Sequence, residues 1–375
     1  MQYYYQDKSF IINRVPETQQ NNLLPWNAAD ELMLQHLSKM PATKGNTAIV
    51  HDRFGFLSCT LSSYKPLSIY LNHSQKEALE QNMSVNNIPK QDVSIMNPTQ
   101  SIDQDLELVL MKMPKDLELV LMKMPKSTDL FHYYLQHLSK HLTENSVLIV
   151  GFMTKYFSQQ SLEIAKKYFE EATQTKAQKK ARLLILKKPK NPSLDHELIH
   201  ELPYKDKIFK QYYGVFSGKN IDYASQFFME NMEIKEEDRK VLDVGCGNGV
   251  LAWHIQQENK KAQVNLLEDN YLALESAKMN ISEESAHFHF NHQLNKLHTK
   301  DFDLVVSNPP FHFEHENNIE ISLSLFMQIK KGLKKGGNFQ LVANKHLNYK
   351  IHLEKIFSSV EILAQNNKFI VYKCE

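Results

Sequence analysis

The chain has 375 residues, 42% of them hydrophobic and 23% charged, which allows two domains of ordinary size and offers no apolar run near the ~20 residues of a membrane helix. A net charge of +1 excludes a uniformly basic nucleic-acid binder, yet residues 166–190 hold nine basic side chains and two acidic ones, and a neutral protein can bind RNA if its positive charge lies on one face. Cys59, Cys246 and Cys374 are widely spaced and the 17 histidines show no zinc-like spacing, so the sequence predicts no metal and a chain suited to the reducing cytosol.

Residues 1–8 lack a charged segment followed by an apolar one, so no leader is predicted. Trp26–Leu37 has helical spacing, with Leu32, Leu34 and Leu37 apolar. Thr47–Val50 reads as a short buried strand and Asp52-Arg53-Phe54-Gly55 as a turn. A strand over Lys65–Leu71 and a helix over Gln75–Met83 follow. Ser146–Phe152 and Arg182–Leu186 are further apolar, β-rich runs. Lys187-Lys188-Pro189-Lys190-Asn191-Pro192-Ser193 has the polar, proline-bearing look of a linker. Between these elements Asp105–Lys115 is repeated letter for letter as Asp116–Lys126. Identity over 11 residues indicates a recent duplication or an error, since a repeat architecture needs several diverged copies. A parallel sheet has one slot for this strand, so one copy is surplus.

From Lys205 the same rhythm returns, with strands at Lys240–Val244, Val264–Leu267, Phe302–Val306 and Asn338–Val342. Strand–helix alternation predicts an α/β fold with a parallel sheet covered on both faces. The expected domains are residues 1–195 and 196–375.

Chemistry concentrates in the second half. Val241-Leu242-Asp243-Val244 runs into Gly245-Cys246-Gly247-Asn248-Gly249, followed by a helix over Val250–Gln257. Glycines permit positive φ and close backbone approach, and a helix N-terminus favours polar or anionic groups. A dinucleotide fingerprint needs a glycine where Val250 stands, so that pattern fails. Asp-x-Gly-x-Gly-x-Gly instead resembles motif I of the class I methyltransferases, which bind S-adenosylmethionine. Glu268 and Asp269 lie 19 and 20 residues after Gly249, where an acid can accept hydrogen bonds from ribose hydroxyls; the register favours Glu268.

The second motif is Asn308-Pro309-Pro310-Phe311, after the apolar Asp303–Ser307. Two prolines restrict the backbone, so the Asn308 side chain and the Pro309 carbonyl point to a fixed place. An exocyclic amine has two N–H donors. Accepting both aims the nitrogen at a methyl donor in line, while Phe311 stacks on the base. By itself such a segment is also compatible with a structural turn. Following a methyltransferase-type motif I, it predicts amino methylation.

These motifs, with Tyr213-Gly214-Val215-Phe216-Ser217 and Asp222, resemble the RsmC/RlmG family of ribosomal RNA guanine-N2 methyltransferases. Trp26–Glu31, His51–Gly55, Ala343–Leu347 and Asn366–Phe369 resemble its RlmG branch, which acts on 23S rRNA. The resemblance implies two tandem Rossmann-like class I methyltransferase domains, the N-terminal one degenerate and used for RNA recognition. It agrees that His51–Gly55 lacks the cofactor glycines and that Lys123-Met124-Pro125-Lys126 stands where the second half has its amine clamp. It further implies that Phe216, Ser217 and Asp222 line the cofactor pocket, with Asn308 beside them and Asn291 and His292 facing the adenine. His312 is an equally good base or rim residue.

Lys176, Lys179, Lys180, Arg182, Lys187, Lys188 and Lys190 are candidates for RNA phosphates; a solvated charged face is the plain alternative. The alternatives for function are a 16S rRNA guanine-N2 methyltransferase, a methyltransferase of protein glutamine, and a non-enzymatic RNA-binding protein with a dead fold.

Overall fold

The computed structural model describes residues 1–15, 23–41, 45–96, 116–190, 198–297, 301–309 and 319–375. The chain divides into two compact units, Met1–Leu198 and Ile199–Glu375. Each is built on a seven-stranded sheet.

In the first unit the strands, in chain order, are Asn46–Val50, Leu67–Ile69, Ser94–Met96, Leu117–Lys123, Leu142–Met153, Phe169–Gln174 and Ala181–Pro189. Their spatial order is third, second, first, fourth, fifth, seventh, sixth. In the second unit Lys240–Val244, Gln263–Glu268, Ala286–Phe290, Phe302–Ser307, Leu333–Asn344, Val360–Gln365 and Phe369–Cys374 repeat that order. The sheets are mixed rather than parallel, because the seventh strand of each runs antiparallel to both neighbours. A hairpin can close such an edge without a crossover helix. Neither closing hairpin follows the strand–helix rhythm, which is why the sequence pattern points to a purely parallel sheet.

The central strands are buried along nearly their whole length, as in Lys240–Val244 and Phe302–Ser307. Burial on both faces explains why they read as continuous apolar runs instead of alternating ones. Two clusters cover the faces of the second sheet: Phe209, Phe228, Ile255 and Leu266 belong to one, Phe326, Phe339, Tyr349 and Phe357 to the other. Each such side chain contributes ~1.5–3 kcal/mol on burial.

Local signals explain the boundaries. The first helix runs Ala28–Leu37 because Asn27 caps it, its side chain accepting from the Ala29 amide at 2.9 Å while Asp30 accepts from the Asn27 amide at 2.7 Å. The second copy of the duplicated segment fills the fourth-strand slot, Leu117–Lys123; the first copy, through Lys115, lies outside the described residues. Lys187–Pro189 do not leave the sheet as a linker. Lys187 pairs with Val147 and Pro189 with Phe169; the proline is tolerated because it is the last residue of its strand, beyond the last pair with the fifth strand. Asn191, Pro192 and Ser193 lie outside the described residues.

In the second sheet the first and fourth strands are parallel neighbours, with Val244 opposite Ser307. The strand order reverses between them, and at such a switch point the following loops diverge to leave a crevice. The Ser307 hydroxyl donates to the Val244 carbonyl at 2.8 Å, tying the two strand ends together where both motifs begin.

Candidate active site

The glycine turn leaves the first strand at Gly245 with φ 70°, continues through Gly247 at 56° and reaches Gly249 at 82°, the N-cap of the Val250–Glu258 helix. All three values lie in the left-handed region that glycine adopts without a steric cost. The roles differ. A Cβ on Gly249 would come within 3.0 Å of Ile281 Cγ1 and 3.3 Å of Ala277 Cβ, so that glycine lets the helix pack. A Cβ on Gly247 would meet nothing within 4 Å. The open space over Gly247 is where a ligand could lie against backbone.

Glu268 ends the second strand and folds against this turn. Its carboxylate accepts from the Gly247 amide and the Asn270 amide, both at 2.9 Å. Desolvation nonetheless pushes its pKa up to about 7. Asp243 is fully buried, and neither oxygen has a hydrogen-bond partner at ordinary distance, although the Ala252 amide lies close enough to lower its pKa a little. Burial first, then the Glu268 charge, push the Asp243 carboxyl up to about 8. Two buried acids beside an open glycine turn can hydrogen-bond a hydroxyl-bearing ligand, and a cation placed there would favour their ionised forms. Cys246 is buried between them, and its thiol is pushed well up, so it is no nucleophile.

Asp269 continues the chain beyond Glu268. Asn291 sits at the end of the third strand, its amide donating to the Glu268 carbonyl at 3.0 Å and its side chain accepting from the Gln293 amide at 3.0 Å. The His292 ring nitrogen Nε2 lies 2.9 Å from the side-chain nitrogen Nε2 of Gln293. Glu268, Asn291 and the glycine turn therefore share the C-terminal edge of the sheet.

Asn308 follows the fourth strand. Its amide nitrogen donates to Asp222 Oδ2 and to Ser225 Oγ, both at 2.9 Å. Asp222 caps the Tyr223–Met229 helix by accepting from the Ser225 amide at 3.1 Å. Because a carboxylate only accepts, the amide nitrogen of Asn308 must face it and Oδ1 must face away. The structure thus places Asp222 against Asn308. Pro309 is buried; Pro310, Phe311 and His312 lie outside the described residues. Phe216 is 74% exposed. Ser217 has φ 62° and donates to the Asn220 carbonyl at 2.6 Å. Ser225 escapes the sequence motifs; its only signal there is its place three residues after a capping aspartate. Buried Gln211 escapes them too, although it accepts from Asn248 at 2.7 Å and so braces the glycine turn.

The first unit has the same turn with different chemistry. His51 at φ 62° and Gly55 at 73° keep the left-handed path of Gly245 and Gly249, and the His51 amide donates to Ile69 as the Gly245 amide does to Leu267. Arg53 stands at the Gly247 position, its guanidinium 4.7 Å from the centre of the Phe54 ring. Val50 pairs with Met122 as Val244 pairs with Ser307, so Lys123 occupies the place of Asn308. Its ammonium is bound to the buried Asp30 carboxylate at 2.8 Å. An ammonium offers no acceptor to an amine.

The basic candidates of the first unit divide in their surroundings. Lys179 and Lys180, at φ 47° and 61°, form the tip of the edge hairpin. Lys179 pairs with Glu31 at 3.3 Å and Lys188 with Glu171 at 2.6 Å. Arg182 donates to Gln174 at 3.3 Å. Lys176 and Lys187 are exposed.

The family model of the RLMG N-terminal domain matches residues 1–120 and 114–191, over half of the chain. The chain belongs to the RsmC/RlmG methyltransferase family. The match breaks and restarts across the duplicated segment, as it should if one copy is surplus to the family pattern. The methyltransferase small domain matches residues 206–373, the unit with the glycine turn and Asn308. Among solved structures, the T. thermophilus 16S rRNA N2 G1207 methyltransferase RsmC, in complex with AdoMet and guanosine, is 18% identical. The match covers 100% of this chain and 97% of that one, with a TM-score of 0.74, and shows that this family member shares its two-sheet methyltransferase fold. A TehB-like methyltransferase from Corynebacterium glutamicum matches 42% of this chain and 89% of its own at 17% identity, but its TM-score of 0.32 is too slight to bear on function. Among the described residues, no helix is long and apolar enough to cross a membrane.

Proposed function

We propose that this family member transfers a methyl group from S-adenosylmethionine to the exocyclic N2 amine of one guanine in 23S ribosomal RNA, in the cytoplasm. The observation that carries the reading is the oriented Asn308 amide: with its nitrogen held by Asp222 and Ser225, its Oδ1 is left to accept an N–H from an amine. The Pro309 carbonyl is the second acceptor.

The residues present fit the cofactor. The open backbone at Gly247 would admit its methionine portion, Glu268 at the strand end would accept from the ribose hydroxyls, and a sulfonium nearby would favour the ionised form of the buried Asp243 carboxyl. Asn291 and His292 would border the adenine, and Phe216 and Ser217 the opposite wall. When bound, S-adenosylmethionine supplies an activated methyl group. Asn308 and Pro309 would hold the amine with its lone pair along the line toward the methyl donor, whose departing sulfur would keep the electrons of the broken bond. The amine proton becomes acidic on alkylation and leaves to solvent, so positioning does most of the work. Phe311 is assigned to stack on the guanine.

The 23S assignment rests on the RLMG N-terminal match. The 16S activity named for the T. thermophilus enzyme supports a small-subunit guanine as the second reading. A protein-glutamine substrate is disfavoured because methyltransferases of that kind that share the clamp have a helical N-terminal domain, whereas the first unit here is built on a seven-stranded sheet. Lys123 with Asp30, and Arg53 over Phe54, support a first unit without a cofactor site, and we assign its exposed lysines and Arg182 to RNA phosphates. Methylation of 23S and 16S rRNA from cells lacking the gene, using purified protein and labelled S-adenosylmethionine, tests the choice. Incorporation into 16S alone would transfer the assignment to the small subunit.

A further inference from the structure

We infer that Asp222 and Ser225 are positioning residues that fix the polarity of the Asn308 amide and thereby make the site select an amine donor over a carbonyl acceptor. The inference rests on the reading of Asn308 as the amine clamp.

An asparagine side chain has two faces of similar shape and opposite chemistry. Rotating its amide by half a turn exchanges the acceptor Oδ1 for the donor Nδ2. A guanine edge carries both kinds of partner, since its N2 amine donates and its O6 accepts. An unrestrained asparagine could therefore hold the base by the wrong atom, with no nitrogen aimed at the methyl group. Here the amide nitrogen has two hydrogens and both have acceptors, Asp222 Oδ2 and Ser225 Oγ, each at 2.9 Å. Turning the amide over would bring Oδ1 against a carboxylate, leaving two acceptors facing each other in a half-buried site.

The lock is one unit. Asp222 Oδ2 also accepts from the Ser225 backbone amide at 3.1 Å, so the helix cap that starts Tyr223–Met229 places the Ser225 hydroxyl at Asn308. A carboxylate behind the amide also polarises it, adding negative charge to Oδ1. That charge matters most when the amine nitrogen turns positive during alkylation. The lock therefore stabilises the transition state more than bound substrate.

The test uses full-length protein, S-adenosylmethionine and rRNA lacking the modification, with kcat, KM for RNA, cofactor affinity and Tm measured for each variant. Ser225→Ala removes one acceptor and leaves the cap, and should lower kcat ~5–10-fold with cofactor affinity and Tm unchanged, on the scale of one hydrogen bond. Ser225→Thr keeps the hydroxyl and should restore most of the loss. Asp222→Asn keeps an oxygen for the cap but can present either atom to Asn308, and should lower kcat ~10-fold or more without unfolding the helix. A merely structural role would move Tm or cofactor affinity instead of kcat alone. Wild-type kcat in Ser225→Ala and Asp222→Asn, alongside an inactive Asn308→Ala, would overturn the lock and leave the clamp standing. Wild-type activity in Asn308→Ala would overturn the clamp, and the lock with it.

Discussion

Gly247 and Gly336 form a matched pair for testing the cofactor site. Both have positive φ, 56° and 80°, and a Cβ on either would meet nothing within 4 Å. An alanine at either position costs only the strain of left-handed backbone, ~1–2 kcal/mol. For a unit of ordinary size that lowers Tm by ~2–8 °C. Their surroundings differ, because Gly336 lies in the Leu333–Asn344 strand while the Gly247 amide donates to Glu268 at the head of the crevice. The new methyl of Gly247→Ala would stand in the space assigned to S-adenosylmethionine. Overfilling a packed contact costs ~1–3 kcal/mol, which weakens affinity ~5–150-fold. Gly247→Val adds two more carbons and should abolish binding. Scanning calorimetry should show similar Tm losses for Gly247→Ala and Gly336→Ala, and titration calorimetry should show weakened binding for Gly247→Ala alone. Equal cofactor affinities in the two variants would refute the placement of the ligand over Gly247.

Asn308→Ala should leave S-adenosylmethionine affinity nearly unchanged and cut methyl transfer by ~10²-fold or more, the scale for one positioned transition-state group; single-turnover and binding assays separate the two effects. With the Asp243 carboxyl pushed up to about 8 and Glu268 to about 7, a sulfonium ligand should bind their ionised forms better. Its affinity should rise from pH ~6 to ~8 and then level, and Asp243→Asn should flatten the slope. The same two groups bind protons in the native chain that the unfolded chain releases near pH ~4, so stability should fall as pH rises from ~4 towards ~8. Denaturant midpoints across that range would show the sign. Charge reversal at Lys179, Lys180 and Arg182 should make the slope of log affinity for RNA against log salt shallower, by ~0.7–0.9 for each phosphate no longer neutralised, with cofactor binding intact. An unaltered slope would remove this hairpin from the RNA surface. Excising residues 105–115 should leave Tm and activity at the full-length level, since Leu117–Lys123 already fills the fourth-strand slot.

Much of the fold is legible in the sequence because the informative signals are local. Val241–Val244 and Asp303–Ser307 read as buried strands because both faces are covered. The glycine turn declares itself by residue type, since only glycine holds φ near 70° at Gly245 without strain. The hairpins that close each sheet are legible only in part: Arg182–Leu186 reads as a β-rich run and lies in the strand Ala181–Pro189, but the pairing does not show. Phe169–Gln174 and Val360–Gln365 are edge strands with mixed exposure, and their place depends on pairing with distant residues. Lys187–Pro189 mislead for a related reason: a lysine pair and a proline look like a linker, yet they are the last residues of a strand whose place is set by pairing with Val147 and Phe169. In the site, Asn308 and Glu268 stand out by their motifs. Ser225 does not, because its importance comes from a hydrogen bond to a residue 83 positions away, a distance on which sequence spacing is silent.

The activity proposed for this chain is methylation of a guanine N2 in ribosomal RNA. Mass-spectrometric mapping of methylated bases in rRNA, from otherwise identical cells with and without the gene, tests it most directly. One N2-methylguanine of 23S rRNA should disappear with the gene and return when wild-type protein, but not Asn308→Ala, is supplied. Identical methylation maps in the two strains would contradict it.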